Sequence, residues 1–478
     1  MPEAKFSALI LAAGKATRFK SDRTKVLHPL AGRPLGEYVL GAVQACHPQR
    51  IYMVIGHESQ RVREAFARDS VSFIVQRQLK GTGDAVMAAR PELDGCPSPT
   101  VVVLVGDAPM LTPETLNGLV ETHAESKAAA TVLTTRLNRP EGYGRILRAK
   151  DSRVRAIVEE KDCTPAEKRN REVSSGIICF SRSELLRHLD ELTDTNSQKE
   201  FLLTDMVRIF SRRRLKVIAF PVLNSREVLG VNDRVELAKV EKILRRRKTE
   251  ALMRAGVTIA DPRTTVIDEP VEIGRDTRVE AGVQILGRTR IGRDCVIQPY
   301  SLLSESTLGD GVTLRPFCVI TGCEVKDGAV VGPFAQLRDG AVIGQCARIG
   351  NFVEVKKSVV GQESRSLHLT YLGDATLGEK VNIGAGVVTC NYDGERKNRT
   401  VVEDGVFVGS GSMLVAPICI GKGSYVAAGS TLTEDVPPES LALGRARQVN
   451  KEAWVRDRKR KGGVQKPDRS DEEAASHE

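Results

Sequence analysis

In the second half of the chain an aliphatic side chain returns at every sixth position through three runs of independent phase. Ile273, Val279, Ile285, Ile291 and Ile297 form the first; Val325, Val331, Leu337, Ile343, Ile349 and Val355 the second; Val402, Val408, Leu414, Ile420, Val426 and Leu432 the third. Glycine often follows the aliphatic residue, as at Gly274, Gly292, Gly332, Gly344, Gly409 and Gly421, where a chain would turn a corner after a short strand. One such strand cannot bury its side chain alone, but stacked coils give each a neighbour above and below. Each fully buried Val, Leu or Ile then contributes about 1.5–3 kcal/mol. The pattern predicts a parallel β-helix of hexapeptide repeats. Its beat breaks between Gly361 and Leu372 and again from Thr389 to Thr400, and function is expected at these interruptions.

The first half follows another rule. From Ser7 to about Leu229, short aliphatic runs (SALILAA, RIYMVIG, SFIVQ, TVVVLVGD, AATVLTT, GIICF, LKVIAF) alternate with amphipathic or polar stretches of helical length. That alternation predicts an α/β domain, Rossmann-like, with a mostly parallel sheet covered on both faces, over residues 1–232. Leu237, Val240, Ile243 and Leu244 recur at helical spacing among charges and predict a linker helix over 233–254. The β-helix is expected over 255–454. The following RDRKRKGGVQKPDRSDEEAASHE has almost no apolar content and predicts a disordered tail at 455–478.

A chain of 478 residues exceeds a single core, in keeping with this division. The apolar stretch Phe6–Ala13 is far shorter than the roughly 18 residues of a membrane span, and it leads into Gly14-Lys15 rather than a cleavage site. No membrane association and a cytoplasmic location are expected. Ten scattered cysteines, with no CxxC pair and no His at zinc spacing, read as reduced core thiols. The net charge of +10 suggests anionic ligands, yet aromatics make up only 4%, so a nucleic-acid groove with stacking platforms is poorly supported. Nucleotides and sugar phosphates fit better.

The first strand runs into Gly14-Lys15-Ala16-Thr17-Arg18, and Lys25 follows in DRTKVLHPLAGRPL. A small-residue turn after a strand exposes backbone N–H groups that can cradle phosphates, while Arg18 and Lys25 would neutralise charge during transfer. By itself the segment is equally an ordinary turn with solvated basic residues. Asp107 lies just beyond an aliphatic strand, at the sheet edge where open α/β folds bind ligands. Magnesium takes one or two protein oxygens, and Asp107 with Asn232 of GVNDR are the candidates; alone, Asn232 would read as a helix N-cap. In the first interruption His368 is a candidate general base. A lone loop histidine is more often a surface residue, but Tyr371, Asn382, Asn391 and Tyr392 gather where the repeat fails. Lys356-Lys357 with Arg338 would hold a sugar phosphate, or else form a solvated face.

The motifs LAAGKATRFKSDRTKVLHPLAGRPL, QRQLKGTGDAV, VGDAPM, GYGRI, IVEEKD, GVNDR, HLTYLGDA, NIGAGVVTCNYDG and VFVGSGSMLVAP occur in this order. Together they resemble the bifunctional GlmU family, a uridyltransferase joined to an acetyltransferase, from about Ala8 to Trp454. The resemblance implies a nucleotidyltransferase domain followed by a left-handed β-helix, packed as a homotrimer whose acetyl sites lie between chains. It implies UTP, N-acetylglucosamine-1-phosphate, glucosamine-1-phosphate and acetyl-CoA as substrates, with Mg²⁺ as cofactor. Leu11, Ala12 and Gly14 would approach the nucleotide, Gln76, Gly81 and Thr82 would read uracil, and Gly144, Glu159 and Ser174 would hold the sugar. Arg338, Lys356, Tyr371, Asn382 and Lys397 would bind glucosamine-1-phosphate, with His368 as base oriented by Asn391. Ala385, Tyr392, Ser410, Ala428 and Arg445 would line the acetyl-CoA path, Ser410 donating to the oxyanion. Four positions depart from the family: Ser174 for a sugar-touching Asn, Val105 for a common Tyr, Ala16 for a loop Gly, which requires a negative φ, and the bulkier Leu367 before the base. A solenoid that only oligomerises has no need of the His368 loop and NYDG, and a non-catalytic scaffold has no need of Arg18, Lys25, Asp107 and Asn232.

Overall fold

The computed structural model describes residues 5–462. The chain forms two compact units, Met1–Gly328 and Ala329–Glu478.

The first unit begins with a nine-stranded sheet. Its main path runs Val217–Pro221, Ala130–Arg136, Glu172–Ser181, Thr100–Val105, Phe6–Leu11, Ile51–Ile55, Val71–Val75. All seven expected runs are strands. Pairings are parallel except along Glu172–Ser181, which lies antiparallel to both neighbours. Successive side chains point to opposite faces, so Leu9, Val101 and Val103 join one core with Phe180 and Phe210, while Ala8, Ile10, Val102 and Leu104 join the other with Leu116 and Leu119. Two strands went unpredicted: Arg145–Arg148 and Val154–Val158, an antiparallel pair attached to Glu172–Ser181. Arg145, Arg148 and Arg155 interrupt their short apolar stretches.

The long helix is Arg234–Arg254, N-capped by Asp233, whose side chain accepts from the Glu236 N–H at 2.8 Å. Val240 and Leu244, with Leu237 and Ile243 partly buried, pack on Phe19, Leu30, Leu35 and Met110. Short strands from Thr258–Ile259 to Glu324–Val325 then stack in three parallel columns, pairing Ile273 with Ile291, Val279 with Ile297 and Ile285 with Leu303.

The second unit continues this construction. Val331, Leu337, Ile343 and Val355 are fully buried and pair coil to coil. The first expected interruption does not break the coil, because Ser366 pairs with Ile349 below and Ile383 above and is itself buried. A hydroxyl simply occupies an aliphatic position, so register survives while the sequence beat is lost. The second interruption is a true excursion: Ala375 pairs with Thr400, a separation of 25 residues, where the coils on either side repeat after 17 or 18. The excursion is closed by the Asp393 carboxylate, which accepts the N–H groups of Glu395 and Arg396. Those bonds hold it down at about 2.

The expected disordered tail begins instead as a helix, Trp454–Gly462. Arg and Lys are good helix formers, and the Arg458 guanidinium sits 5.0 Å from the Trp454 ring. Residues 463–478 lie outside the described residues. Among the described residues no helix is long and apolar enough to cross a membrane.

Candidate functional sites

Leu11 and Val105 stand side by side at the ends of adjacent parallel strands, so the loops that follow them open at the same sheet edge. There a cleft of about 980 Å³ is lined by Leu11, Ala12, Gly14, Arg18, Lys25, Gln76, Gly81, Thr82 and Asp107. A Cβ added at Gly14 would meet nothing within 4 Å, so the bareness of this loop serves whatever enters the cleft. Ala16 has φ −82°, the negative value its methyl requires, and is buried.

Charge converges at the cleft's inner end. The Lys25 ammonium donates to Asp107 Oδ2 at 2.5 Å and to Asn232 Oδ1 at 3.2 Å, and Arg18 donates to the same Asn232 oxygen at 2.8 Å. Asn232 is carried there because the Val231 N–H bonds the Asp107 carbonyl at 2.9 Å. It is not the helix cap; Asp233 takes that role. Among the described residues no group of three or more His, Cys, Asp or Glu is placed to hold a metal. The Asp107 and Asn232 oxygens, however, already meet on one cation, and two protein oxygens completed by phosphate and water suit magnesium.

At the outer end the buried Gln76 amide donates to Asp84 Oδ2 at 2.5 Å and to the Gly81 carbonyl at 3.2 Å. Gly81 has φ +109°, and a Cβ there would fall 2.5 Å from the Phe201 carbonyl oxygen, so only glycine fits. Thr82 Oγ1 accepts from the Leu203 N–H at 3.0 Å. Asp84, which fixes the Gln76 amide, was missed although it stands in the same motif.

Gly144, Glu159 and Ser174 are brought together. The Gly144 carbonyl accepts from the Ser174 N–H at 2.9 Å, and a Cβ on Gly144 would stand 3.5 Å from the Glu159 carboxylate. The Ser174 hydroxyl accepts from the Gly176 N–H at 3.2 Å. Burial pushes the Glu159 carboxyl up, opposed by a hydrogen bond from Thr204 Oγ1 at 2.9 Å and assisted by Asp205, Asp162 and Glu200.

The second site is a repeated corner of the β-helix. Phe334, Phe352, Leu369, Gly386, Gly411 and Gly429 all have positive φ, between 48° and 73°. The N–H of Leu369 donates to the Asn351 carbonyl, that of Gly386 to His368, that of Gly411 to Ala385 and that of Gly429 to Ser410. Asn351, His368, Ala385, Ser410 and Ala428 therefore hold equivalent places on successive coils. Up to and including the base's own coil the corner carries exposed apolar side chains, Phe334 stacked on Phe352 at 5.3 Å and then Leu369 beside His368. Above it there is only glycine: a Cβ at Gly386 comes no closer than 3.8 Å to Gly411, one at Gly411 reaches 4.0 Å from Gly429, and one at Gly429 meets nothing within 4 Å. A strip of bare backbone starts at His368 and passes Ala385, Ser410 and Ala428. Arg445, exposed, follows Gly444, whose N–H donates to Ser430 Oγ at 3.2 Å.

Basic groups lie beside this corner. Arg338 and Lys356 are register partners, and Arg338 is held by Glu354 at 2.7 Å and Asp339 at 2.8 Å. Lys356 lies against Lys397 and keeps its ammonium below the usual lysine value, while Asp374 and Tyr371 act in the opposite sense. Tyr371 stands over Glu354 in register, and Asn382 pairs between Arg365 and Phe407. Tyr392 is exposed, its hydroxyl donating to the Gly394 carbonyl at 2.5 Å. Leu367, the departure before the base, is 38% exposed. One expectation needs correction: Asn391 does not orient His368. Its side chain is buried on Asp374 at 2.6 Å, and the His368 Nδ1 contact is Asn351 Oδ1 at 2.7 Å. Asn351, Glu354 and Asp374 were all missed, since their neighbours one coil away are invisible in a linear reading.

A MobA-like NTP transferase domain model matches residues 8–209, and a six-repeat bacterial transferase hexapeptide model matches residues 270–305. The bifunctional protein GlmU of Koribacter versatilis is 48% identical over 455 residues, covering 94% of this chain and 97% of that protein. That of Geobacter metallireducens is 48% identical over 466 residues, covering 94% and 98%. That of Halalkalibacterium halodurans is 44% identical over 448 residues, with the same two coverages. The architecture is an α/β nucleotidyltransferase domain followed by a left-handed parallel β-helix, and with relatives matched almost end to end at this identity, the chain belongs to the bifunctional GlmU family.

Proposed function

We infer that this chain makes UDP-N-acetylglucosamine in two steps, acetylating glucosamine-1-phosphate at the β-helix corner and uridylating the product at the sheet edge. The observation that carries the first step is the position of His368, at the point where the corner changes from aromatic side chains to bare glycine. Acetyl-CoA would lie along that strip past Ala385, Ser410 and Ala428, with Asn391 and Tyr392 at its flank and Arg445 near its far end. Arg338, Lys356, Tyr371, Asn382 and Lys397 would hold the sugar phosphate. The amine attacks the thioester carbonyl as its proton passes to His368 Nε2. The N–C bond forms, the C–S bond breaks, and the proton leaves with the CoA thiolate. The base supplies about 10²–10⁴-fold, and a Ser410 hydroxyl donating to the oxyanion on the order of 10²–10³-fold.

In the second step the phosphate of N-acetylglucosamine-1-phosphate attacks the UTP α-phosphate and pyrophosphate leaves. The nucleophile is already anionic, so positioning and charge neutralisation suffice. Arg18 and Lys25 meet the charge of the transferring phosphate at the loop that follows Leu11, Ala12 and Gly14. Asp107 and Asn232 would hold a magnesium ion, which would supply further positive charge beside the phosphates. Gln76, Gly81 and Thr82 read the uracil, while Gly144, Glu159 and Ser174 hold the sugar. Residues 1–232 carry this chemistry, 233–254 link, and 255–454 carry the acetyl site. The exposed aromatic stack on the corner suits packing against further copies in a homotrimer, and the cytoplasm, where both cosubstrates are made, is the compartment.

The test is thiol release from acetyl-CoA in the presence of glucosamine-1-phosphate. Release by the intact chain and its collapse in His368→Ala are expected. No release by the intact chain, or full release by the variant, overturns the acetyl-transfer reading.

A further inference from the structure

We propose that Asn351 is a positioning residue of the acetyl-transfer site, its amide oxygen holding His368 in the tautomer that carries the proton on Nδ1 and leaves the Nε2 lone pair for the substrate amine. The inference rests on the reading of His368 as the base. It comes from register. Strands Arg348–Asn351 and Arg365–His368 run parallel, and their last residues are directly opposite one another. Neighbouring strands lie about 4.8 Å apart, so two side chains leaving the same corner in the same direction come within hydrogen-bond reach. The Nδ1–Oδ1 separation is 2.7 Å.

Backbone bonds fix both partners. The Asn351 carbonyl accepts from the Leu369 N–H at 3.0 Å, and the His368 carbonyl accepts from Thr370 Oγ1 at 2.7 Å and from the Gly386 N–H at 3.4 Å. One coil above His368 the equivalent place holds Ala385, whose methyl cannot bond the imidazole and leaves that side open to substrate. Asn391 is engaged with Asp374 and does not compete. An amide oxygen accepts Nδ1–H equally from imidazole and imidazolium, so the contact persists while the ring takes up a proton. Without it the proton distributes between the two nitrogens, and molecules protonated on Nε2 have no base.

The test combines kinetics with ¹⁵N NMR of full-length, histidine-labelled protein, the His368 signals being identified by their loss in His368→Gln. In the neutral wild type Nδ1 should show a protonated, pyrrole-like shift and Nε2 a pyridine-like one. In Asn351→Ala the Nε2–H tautomer should grow and kcat for acetyl transfer fall roughly 10- to 100-fold with little change in either KM, the range found when residues that orient a functional histidine are removed. Asn351→Asp keeps an acceptor oxygen and should keep the Nδ1–H tautomer and most of the wild-type kcat. Circular dichroism of the same preparations reports folding, and if Asn351→Ala failed to fold, the wild-type tautomer and Asn351→Asp would still decide. A wild-type Nε2–H tautomer, or wild-type kcat in Asn351→Ala while His368→Ala is inactive, overturns the positioning role alone. Full acetyl transfer by His368→Ala overturns the base itself.

Discussion

The two sites solve the same problem, gathering anionic substrates, by opposite constructions. The sheet-edge cleft is assembled from the loop after Leu11, the turn at Gly81, the strand end at Asp107 and the segment at Asn232, each with its own local geometry. The β-helix corner is one backbone geometry repeated every coil, and only the side chain changes: Phe334, Phe352, Leu369, then Gly386, Gly411 and Gly429. A cleft of unique loops can be damaged wherever one turn fails. A repeated corner can be edited one coil at a time, because its φ is already compatible with a large side chain.

The sharpest break between the two regions is His368→Ala, which should lower acetyl transfer about 10²–10⁴-fold and leave uridyl transfer untouched, as measured by thiol release and pyrophosphate release on one preparation. Asp107→Ala should do the reverse. Loss of the proposed metal oxygen would cost several kcal/mol, so pyrophosphate release should fall roughly 10²–10³-fold while thiol release persists. A smaller effect sharpens the idea of an editable corner. Gly411→Phe places an aromatic ring inside the glycine strip at φ +70°, in the left-handed region that Phe352 already adopts at φ 55°, and should raise the acetyl-CoA KM about tenfold, or 1.4 kcal/mol, with the fold intact by circular dichroism. An unchanged KM would mean that the strip is not the coenzyme path.

The smallest effect concerns Glu159. Burial raises its folded-state pKa above the unfolded value of 4.5. Stability is therefore greatest below 4.5, falls as the unfolded chain ionises while the folded chain keeps its proton, and is fully reduced above the raised value. Glu159→Gln removes this cost. It should show a higher Tm than wild type at pH 7, a gain that fades as pH drops below 4.5, together with a higher KM for N-acetylglucosamine-1-phosphate. A Tm difference independent of pH would locate the effect in packing rather than ionisation.

The same contrast explains what the sequence revealed. The hexad beat marks the β-helix because every coil buries the same position, and the seven aliphatic runs mark the main sheet because both its faces are covered. The strands Arg145–Arg148 and Val154–Val158 escaped because arginines interrupt their short apolar stretches, and the helix at Trp454 escaped because charge masked its propensity. In the cleft, motif residues such as Lys25, Asp107 and Asn232 do meet. At the corner the partners lie 17 residues apart on successive coils, a neighbourhood the linear sequence does not display, and the family resemblance pointed to Asn391, which is engaged with Asp374. Ser366 shows the related error: a lost beat was taken for a lost coil.

The central claim is that the chain carries the machinery of two separable active sites linked only by a diffusible intermediate. The most direct measurement mixes equal amounts of purified His368→Ala and Asp107→Ala with glucosamine-1-phosphate, acetyl-CoA, UTP and magnesium, and follows UDP-N-acetylglucosamine. Either variant alone should form almost none, and the mixture should form it at a rate approaching that of wild type. A mixture no better than its better component would contradict the claim.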